Sequence, residues 1–302
     1  MRHVLGIDAG GSKTRALLAN ERGDIVAAAS SGGANLRTDG ELEVERMLHA
    51  VIEEACAAAG ARPDAVALGI AGAGRPEDAE VLRAVLRRIG FRERVVVTND
   101  AHIAFIAGSD RRVGLALVCG TGSIAWGRNA AGESARAGGW GWRVGDEGSG
   151  YWIGERAIRL VLRARDGRAP STRLEAALLE HFSVRDPEQI VNAIYDGVYP
   201  RHQVALFAVA VERAANAGDR VAAGILSDAA DELVLAAESV VSRLGLVGAP
   251  YDVVLSGGTF RAIGTLERAV ADRLASPDAR VLPLQRESAA GAVQLALEEL
   301  SR

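Results

Sequence analysis

The chain has 302 residues, 49% of them hydrophobic and 25% charged, with a formal net charge of −4. That is enough apolar material for substantial cores and enough length for two domains. The mildly acidic balance offers no broad basic field for nucleic acid, no apolar run approaches a membrane span, and Asp8 comes too early for a secretory leader, so a cytoplasmic enzyme without nucleic-acid or membrane partners is expected.

The first apolar strand runs into a glycine-rich turn, Gly6-Ile7-Asp8-Ala9-Gly10-Gly11-Ser12-Lys13-Thr14. Glycine lets the backbone come close to a ligand, so that consecutive N–H groups point at phosphate oxygens while Ser12, Lys13 and Thr14 add hydroxyl and ammonium donors. The spacing is neither GxxxxGK[ST] nor GxGxxG, which argues against a P-loop enzyme and a Rossmann dehydrogenase. Residues 14–20 read as a second strand, 21–24 as a turn and 25–29 as a third strand, so the phosphate turn joins two strands. Asp8, at the strand end, suits either Mg²⁺ near the phosphates or a turn-stabilising carboxylate. Lys13 reads equally as a solvated turn residue.

Thr38 and Glu41 form a capping box ahead of an apolar face at Leu42, Val44, Met47, Leu48, Val51, Ile52 and Ala55, and Gly60 ends that helix. A strand follows at 65–70, a helix from Pro76 to about Ile89, and a short buried strand at 94–98. That strand delivers Asp100 to the place where polar groups of α/β folds meet ligands, where a carboxylate can accept a hydroxyl proton. Asp is also a favoured N-cap, here for a helix over 101–107.

At 113–118 the pattern restarts and reaches Cys119-Gly120-Thr121-Gly122-Ser123, a strand at 124–127 and a turn near 129–132, which places a boundary near 109–112. Gly138-Gly139-Trp140-Gly141 and Gly145-Asp146-Glu147-Gly148-Ser149-Gly150 form a dense cluster that regular structure does not explain, although Trp140 alone reads as core and Asp146-Glu147 as a helix cap. Helical patterns dominate 150–245, with turns at 166–170, 186–187 and 218–219. A strand over 252–256 ends in Gly257-Gly258, and helices over 260–274 and 287–300 complete the chain. Cys56 and Cys119 form no CxxC pair and read as buried thiols, and His3, His49, His102, His181 and His202 form no ligand pattern.

Two phosphate hairpins and a later Gly-Gly turn resemble the actin and hexokinase superfamily. Within it, Ala34-Asn35, Thr98-Asn99-Asp100-Ala101, the 138–152 cluster and Ser256-Gly257-Gly258 resemble the BadF/BadG/BcrA/BcrD-type ATPases and their N-acetylglucosamine and glucosamine kinases. The resemblance implies an α/β fold of two ribonuclease-H-like domains, 1–112 joined by a C-terminal helix at 286–302, and 113–285 with a helical insertion, with the active site in the cleft between them. It implies ATP and Mg²⁺ as cofactors, an amino sugar as small-molecule partner, and a homodimer. On the same ground Asp100 is the base and Asp8 the magnesium residue. ATP falls to Gly10, Gly11, Ser12, Lys13, Thr14, Gly120, Thr121, Gly122, Ser123, Gly257 and Gly258. The sugar falls to Asn35, Asp100, Gly139, Trp140, Gly141, Asp146 and Glu147, with the γ-phosphoryl passing to its 6-hydroxyl. Leu36-Arg37 follows Asn35 where animal relatives carry an aromatic, so glucosamine stands beside N-acetylglucosamine as acceptor. A partner-activating ATPase and a sugar-binding regulator without turnover are the alternatives.

Overall fold

The computed structural model describes residues 1–11, 13–34, 36–73, 76–92 and 94–302. Strands β1 (His3–Ala9), β2 (Lys13–Asn20) and β3 (Ile25–Gly32) open the chain, followed by α1 (Leu36–Ala59), β4 (Ala65–Ile70), α2 (Pro76–Ile89), β5 (Val95–Thr98) and α3 (Asp100–Gly108). The pattern restarts with β6 (Gly114–Cys119), β7 (Ser123–Arg128) and β8 (Ser134–Gly138). Helices α4 (Gly150–Arg165), α5 (Leu174–Phe182), α6 (Gln189–Tyr195), α7 (Arg201–Asn216) and α8 (Arg220–Leu244) follow. The chain closes with β9 (Tyr251–Ser256), α9 (Gly258–Ala262), α10 (Gly264–Leu274), β10 (Ala279–Pro283) and α11 (Ser288–Leu300).

Two five-stranded sheets result, in the orders β3-β2-β1-β4-β5 and β10-β9-β6-β7-β8. Counted within its own half, each sheet runs third, second, first, fourth, fifth, so the repeated hairpin of the sequence is a repeated sheet. In the first sheet β1, β2 and β3 pair antiparallel, as short turns require, while β4 joins β1 and β5 joins β4 in parallel after the helical crossovers α1 and α2. The chain divides into two compact units, Met1–Ala116 with Trp126–Ser134 and Leu282–Arg302, and Leu117–Ala125 with Ala135–Val281.

The first unit buries Leu5, Ile7, Leu18, Val66, Leu68 and Ile70 of its sheet against Val44, Leu48, Val51 and Ile52 of α1 and Leu82, Val85 and Leu86 of α2. Leu42 does not join this face: it is 83% exposed. At 100° per residue it stands about 200° from Val44, on the solvent side of the helix. The Thr38 side chain of the expected capping box lies outside the described residues, and the helical dihedrals break at Gly40.

Helix α11 lies against β1 and α3. A methyl on Gly291 would lie 2.0 Å from the Ile103 carbonyl oxygen and 2.8 Å from the Ala107 nitrogen, so only glycine lets the two helix backbones approach this closely. Arg15 of β2 donates to Glu287 at the start of α11 (3.0 Å), and Arg112 pairs with Glu298 near its end (3.0 Å). Thus α11 backs the helix whose first residue is Asp100.

In the second unit α4 packs on α7 and α8. The buried Asp252 of β9 accepts a two-pronged bond from Arg280 of β10 (2.9 and 2.8 Å), fastening the edge strand. The single helix expected over 260–274 is broken at Ile263, whose dihedrals are non-helical, where glycine follows and disfavours continuation.

Candidate functional site

In the first unit the register aligns Asp8 of β1 with Gly69 of β4, and Gly69 with Thr98 of β5. Strands about 4.8 Å apart put the Asp8 and Thr98 backbones about 10 Å from each other, at the carboxyl ends of parallel strands. Asp100 starts α3 two residues beyond Thr98, and both carboxylates are half-buried.

The cap of α3 is Asn99, whose side chain accepts from the His102 amide (2.7 Å). Capping therefore does not account for Asp100, which accepts from the Ala101 amide through Oδ1 (3.0 Å). The first glycine-rich turn is closed by Gly10 N–H donating to Lys13 O (2.9 Å), and Ala34 N–H donates to Gly10 O (3.0 Å). Lys13 is exposed. Thr14 is fully buried, and its hydroxyl has no hydrogen-bond partner among the described residues, so it faces the core rather than the turn's solvent side. Ser12 and Asn35 lie outside the described residues.

The second unit brings its own candidates together. In the hairpin Gly120 N–H donates to Gly122 O (2.9 Å), and Gly139 N–H donates to Ser123 O (3.0 Å). Ser123 Oγ donates to the Glu147 carbonyl (2.7 Å), so that hydroxyl is committed within the protein. Asp146 is 7% exposed and left-handed (φ 58°), an unusual conformation for a non-glycine residue. Its Oδ1 accepts from Gly141 N–H (3.2 Å). A methyl on Gly122 would sit 2.7 Å from its Oδ2, so the carboxylate lies directly against the hairpin backbone.

Burial raises the Asp146 pKa above the ordinary carboxylate value, opposed by the Gly141 and Ser123 backbone N–H groups and by Arg201, while Glu147 adds to the rise. Ser149, not Asp146 or Glu147, caps α4 by accepting from Trp152 N–H (3.2 Å). Trp140 is 53% exposed beneath the Arg136 guanidinium (4.4 Å), so it is not core. At the Gly257-Gly258 turn, Thr259 Oγ1 donates to Gly120 O (2.8 Å), linking α9 to the hairpin.

Among the described residues no three His, Cys, Asp or Glu side chains gather as a metal cage. Mg²⁺ carried with a nucleotide needs none: it keeps its waters and takes one or two carboxylates with the phosphates, and Asp8 beside the first turn fits that donor set. Cys56 and Cys119 are both buried, and burial raises both thiol pKa values, which leaves them protonated at neutral pH. The sequence pattern named Thr98 only within the Thr98–Ala101 motif, set His102 aside with the other histidines, and gave no role to Trp126 or Thr259. The spacing of four between Thr98 and His102 was the only local signal of their bond.

The family profile described as the BadF/BadG/BcrA/BcrD ATPase family matches residues 5–296. The chain is 35% identical over 304 residues to the N-acetylmuramic acid/N-acetylglucosamine kinase of Clostridium acetobutylicum, covering 99% of each chain. It is 30% identical over 310 residues to the N-acetyl-D-glucosamine kinase of Dictyostelium discoideum, covering 97% of each. A crystal structure from Chromobacterium violaceum, described as a candidate N-acetylglucosamine kinase, matches with a TM-score of 0.78 at 26% identity over 98% of this chain and 99% of that one.

Proposed function

The chain belongs to the BadF/BadG/BcrA/BcrD ATPase family, and on that premise we propose that it is an ATP-dependent amino-sugar kinase. It transfers the γ-phosphoryl group of ATP to the 6-hydroxyl of N-acetylglucosamine or glucosamine, and N-acetylmuramic acid, named for one relative, joins the acceptors to be tried. The observation that carries the mechanism is Asp100: a half-buried carboxylate at the start of α3, after the end of a parallel strand, with the capping task assigned to Asn99.

Asp100 accepts the proton of the attacking sugar hydroxyl, and its geometry beside the acceptor directs that oxygen at phosphorus. The glycine-rich turns at 10–14 and 120–123 hold phosphate oxygens through N–H groups other than those of Gly10 and Gly120, which donate within the turns, and Gly257-Gly258 borders the adenosine. Asp8 is the residue that would hold Mg²⁺, which when bound would neutralise phosphate charge. Asn35, Gly139, Trp140, Gly141, Asp146 and Glu147 bind the sugar. The same reading makes the protein a cytoplasmic homodimer.

A panel of glucosamine, N-acetylglucosamine, N-acetylmuramic acid, N-acetylmannosamine and glucose, assayed with ATP and Mg²⁺ by coupled ADP release, tests the proposal. An amino sugar should raise ADP release well above the rate in water alone. Equal rates with and without every sugar would instead mark a partner-activating ATPase.

A further inference from the structure

Two hydrogen bonds span Asp100 along the chain, and both end on His102. Its amide donates to the Asn99 side chain (2.7 Å), and its Nδ1 meets the Thr98 hydroxyl (2.9 Å). The junction from Thr98, the last residue of β5, to His102 in the first turn of α3 is thereby tied at both ends, with Asp100 between them. The imidazole is itself held, stacked on the buried Trp126 of β7 with ring centroids 4.2 Å apart, and Phe105 of α3 packs on the same indole at 6.3 Å. Its Nε2 is buried with no hydrogen-bond partner among the described residues. A buried N–H without an acceptor is rarer and costlier than a buried lone pair, so the proton belongs on Nδ1, which donates to Thr98 Oγ1.

We propose that His102 is the positioning residue of the phosphoryl-transfer site, a neutral brace that holds the β5–α3 junction at Thr98–Asp100 so that the base meets the sugar hydroxyl. This rests on the reading of Asp100 as that base. Burial and the nearby Arg128 and Arg112 guanidinium groups push the His102 pKa down to about 4, in keeping with a ring that stays neutral beside the carboxylate. A neutral ring also leaves the basicity of Asp100 undiminished, which an imidazolium two residues away would not.

The test compares His102→Phe, which keeps a ring on Trp126 but loses Nδ1, with Thr98→Val, which keeps volume but loses the hydroxyl, their double variant, and His102→Asn, whose amide nitrogen can take the Nδ1 position. With the preferred sugar from the panel, His102→Phe and Thr98→Val should each lower kcat about 10-fold, the weight of one hydrogen bond, with KM for ATP within about twofold of wild type. The double variant should be no worse than either single one, and His102→Asn should regain most of the rate. In an Asp100→Asn background His102→Phe should cost nothing further. Wild-type kcat in both single variants while Asp100→Asn is inactive would overturn the brace and leave the base standing, as would losses that multiply in that background. Near-wild-type turnover by Asp100→Asn alone would remove the base, and the brace with it. Melting temperatures of all variants identify any that fail to fold, and Thr98→Val carries the test if His102→Phe is one of them.

Discussion

Replacing Gly291 with alanine tests whether the packing of α11 sets the position of Asp100, the proposed base. The new methyl would start 2.0 Å from the Ile103 carbonyl oxygen and 3.0 Å from its carbon, both backbone atoms of α3. A carbon and a carbonyl oxygen come no closer than about 3.3 Å, so the helices must separate by roughly 1 Å. Two effects compete. Alanine gains up to about 1 kcal/mol over glycine in a helix interior, whereas overpacking a filled site costs about 1–3 kcal/mol or more. The steric term wins here because its partners are backbone and cannot rotate away.

At roughly 2–4 °C per kcal/mol, the melting temperature should fall by several degrees. A shift of about 1 Å at the helix that begins with Asp100 should lower kcat by up to about 100-fold, with ATP affinity largely kept. Gly224→Ala on the exposed side of α8, where an added methyl meets nothing within 4 Å, is the control and should be neutral or slightly stabilising. Thermal unfolding and steady-state kinetics on both variants decide the matter. A Gly291→Ala protein with unchanged melting temperature and kcat would refute the link between α11 and the site.

Asp100→Asn should lower kcat by about 10²–10⁴-fold without altering the melting temperature, while Asn99→Ala should lose about 1 kcal/mol of stability, and stopped assays with calorimetry separate the two residues. For Asp146 the folded pKa is raised, so its contribution to stability is present below the ordinary carboxylate value and lost as pH rises through the folded one; denaturant titrations of Asp146→Asn should show a smaller fall toward neutral pH, with weakened sugar use. His102 titrates the other way. Its folded pKa of about 4 lies below the ordinary 6.5, so stability is fully present above 6.5 and declines toward pH 4 by up to roughly 3 kcal/mol, and the wild type should lose more over this window than His102→Phe.

Strands β1 and β6 were legible in the sequence because they are apolar runs that meet glycine-rich turns, β4 because it is an apolar run throughout, and α2 because Pro76 and Gly90 punctuate its ends. The edge strands β8 and β10 were not. Ser134–Gly138 and Ala279–Pro283 are short, and only partly buried, so neither length nor alternation marks them. Asn99 and Asp100 are adjacent residues of equally good capping type, and only the bond from His102 N–H separates their roles. The placement of Asp146 against Gly122, and of His102 against Trp126, depends on contacts 24 residues apart that no local pattern encodes. Leu42 misled for a simpler reason, its apolar side chain lying off the helical stripe.

The most direct measurement of the central claim is the fate of the γ-phosphoryl group, followed by phosphorus NMR in a reaction with ATP, Mg²⁺ and the best amino-sugar acceptor. The account predicts a sugar 6-phosphate formed in equal amount with ADP, and loss of that signal in Asp100→Asn. Inorganic phosphate appearing in step with ADP at the same rate whether or not sugar is present would contradict it.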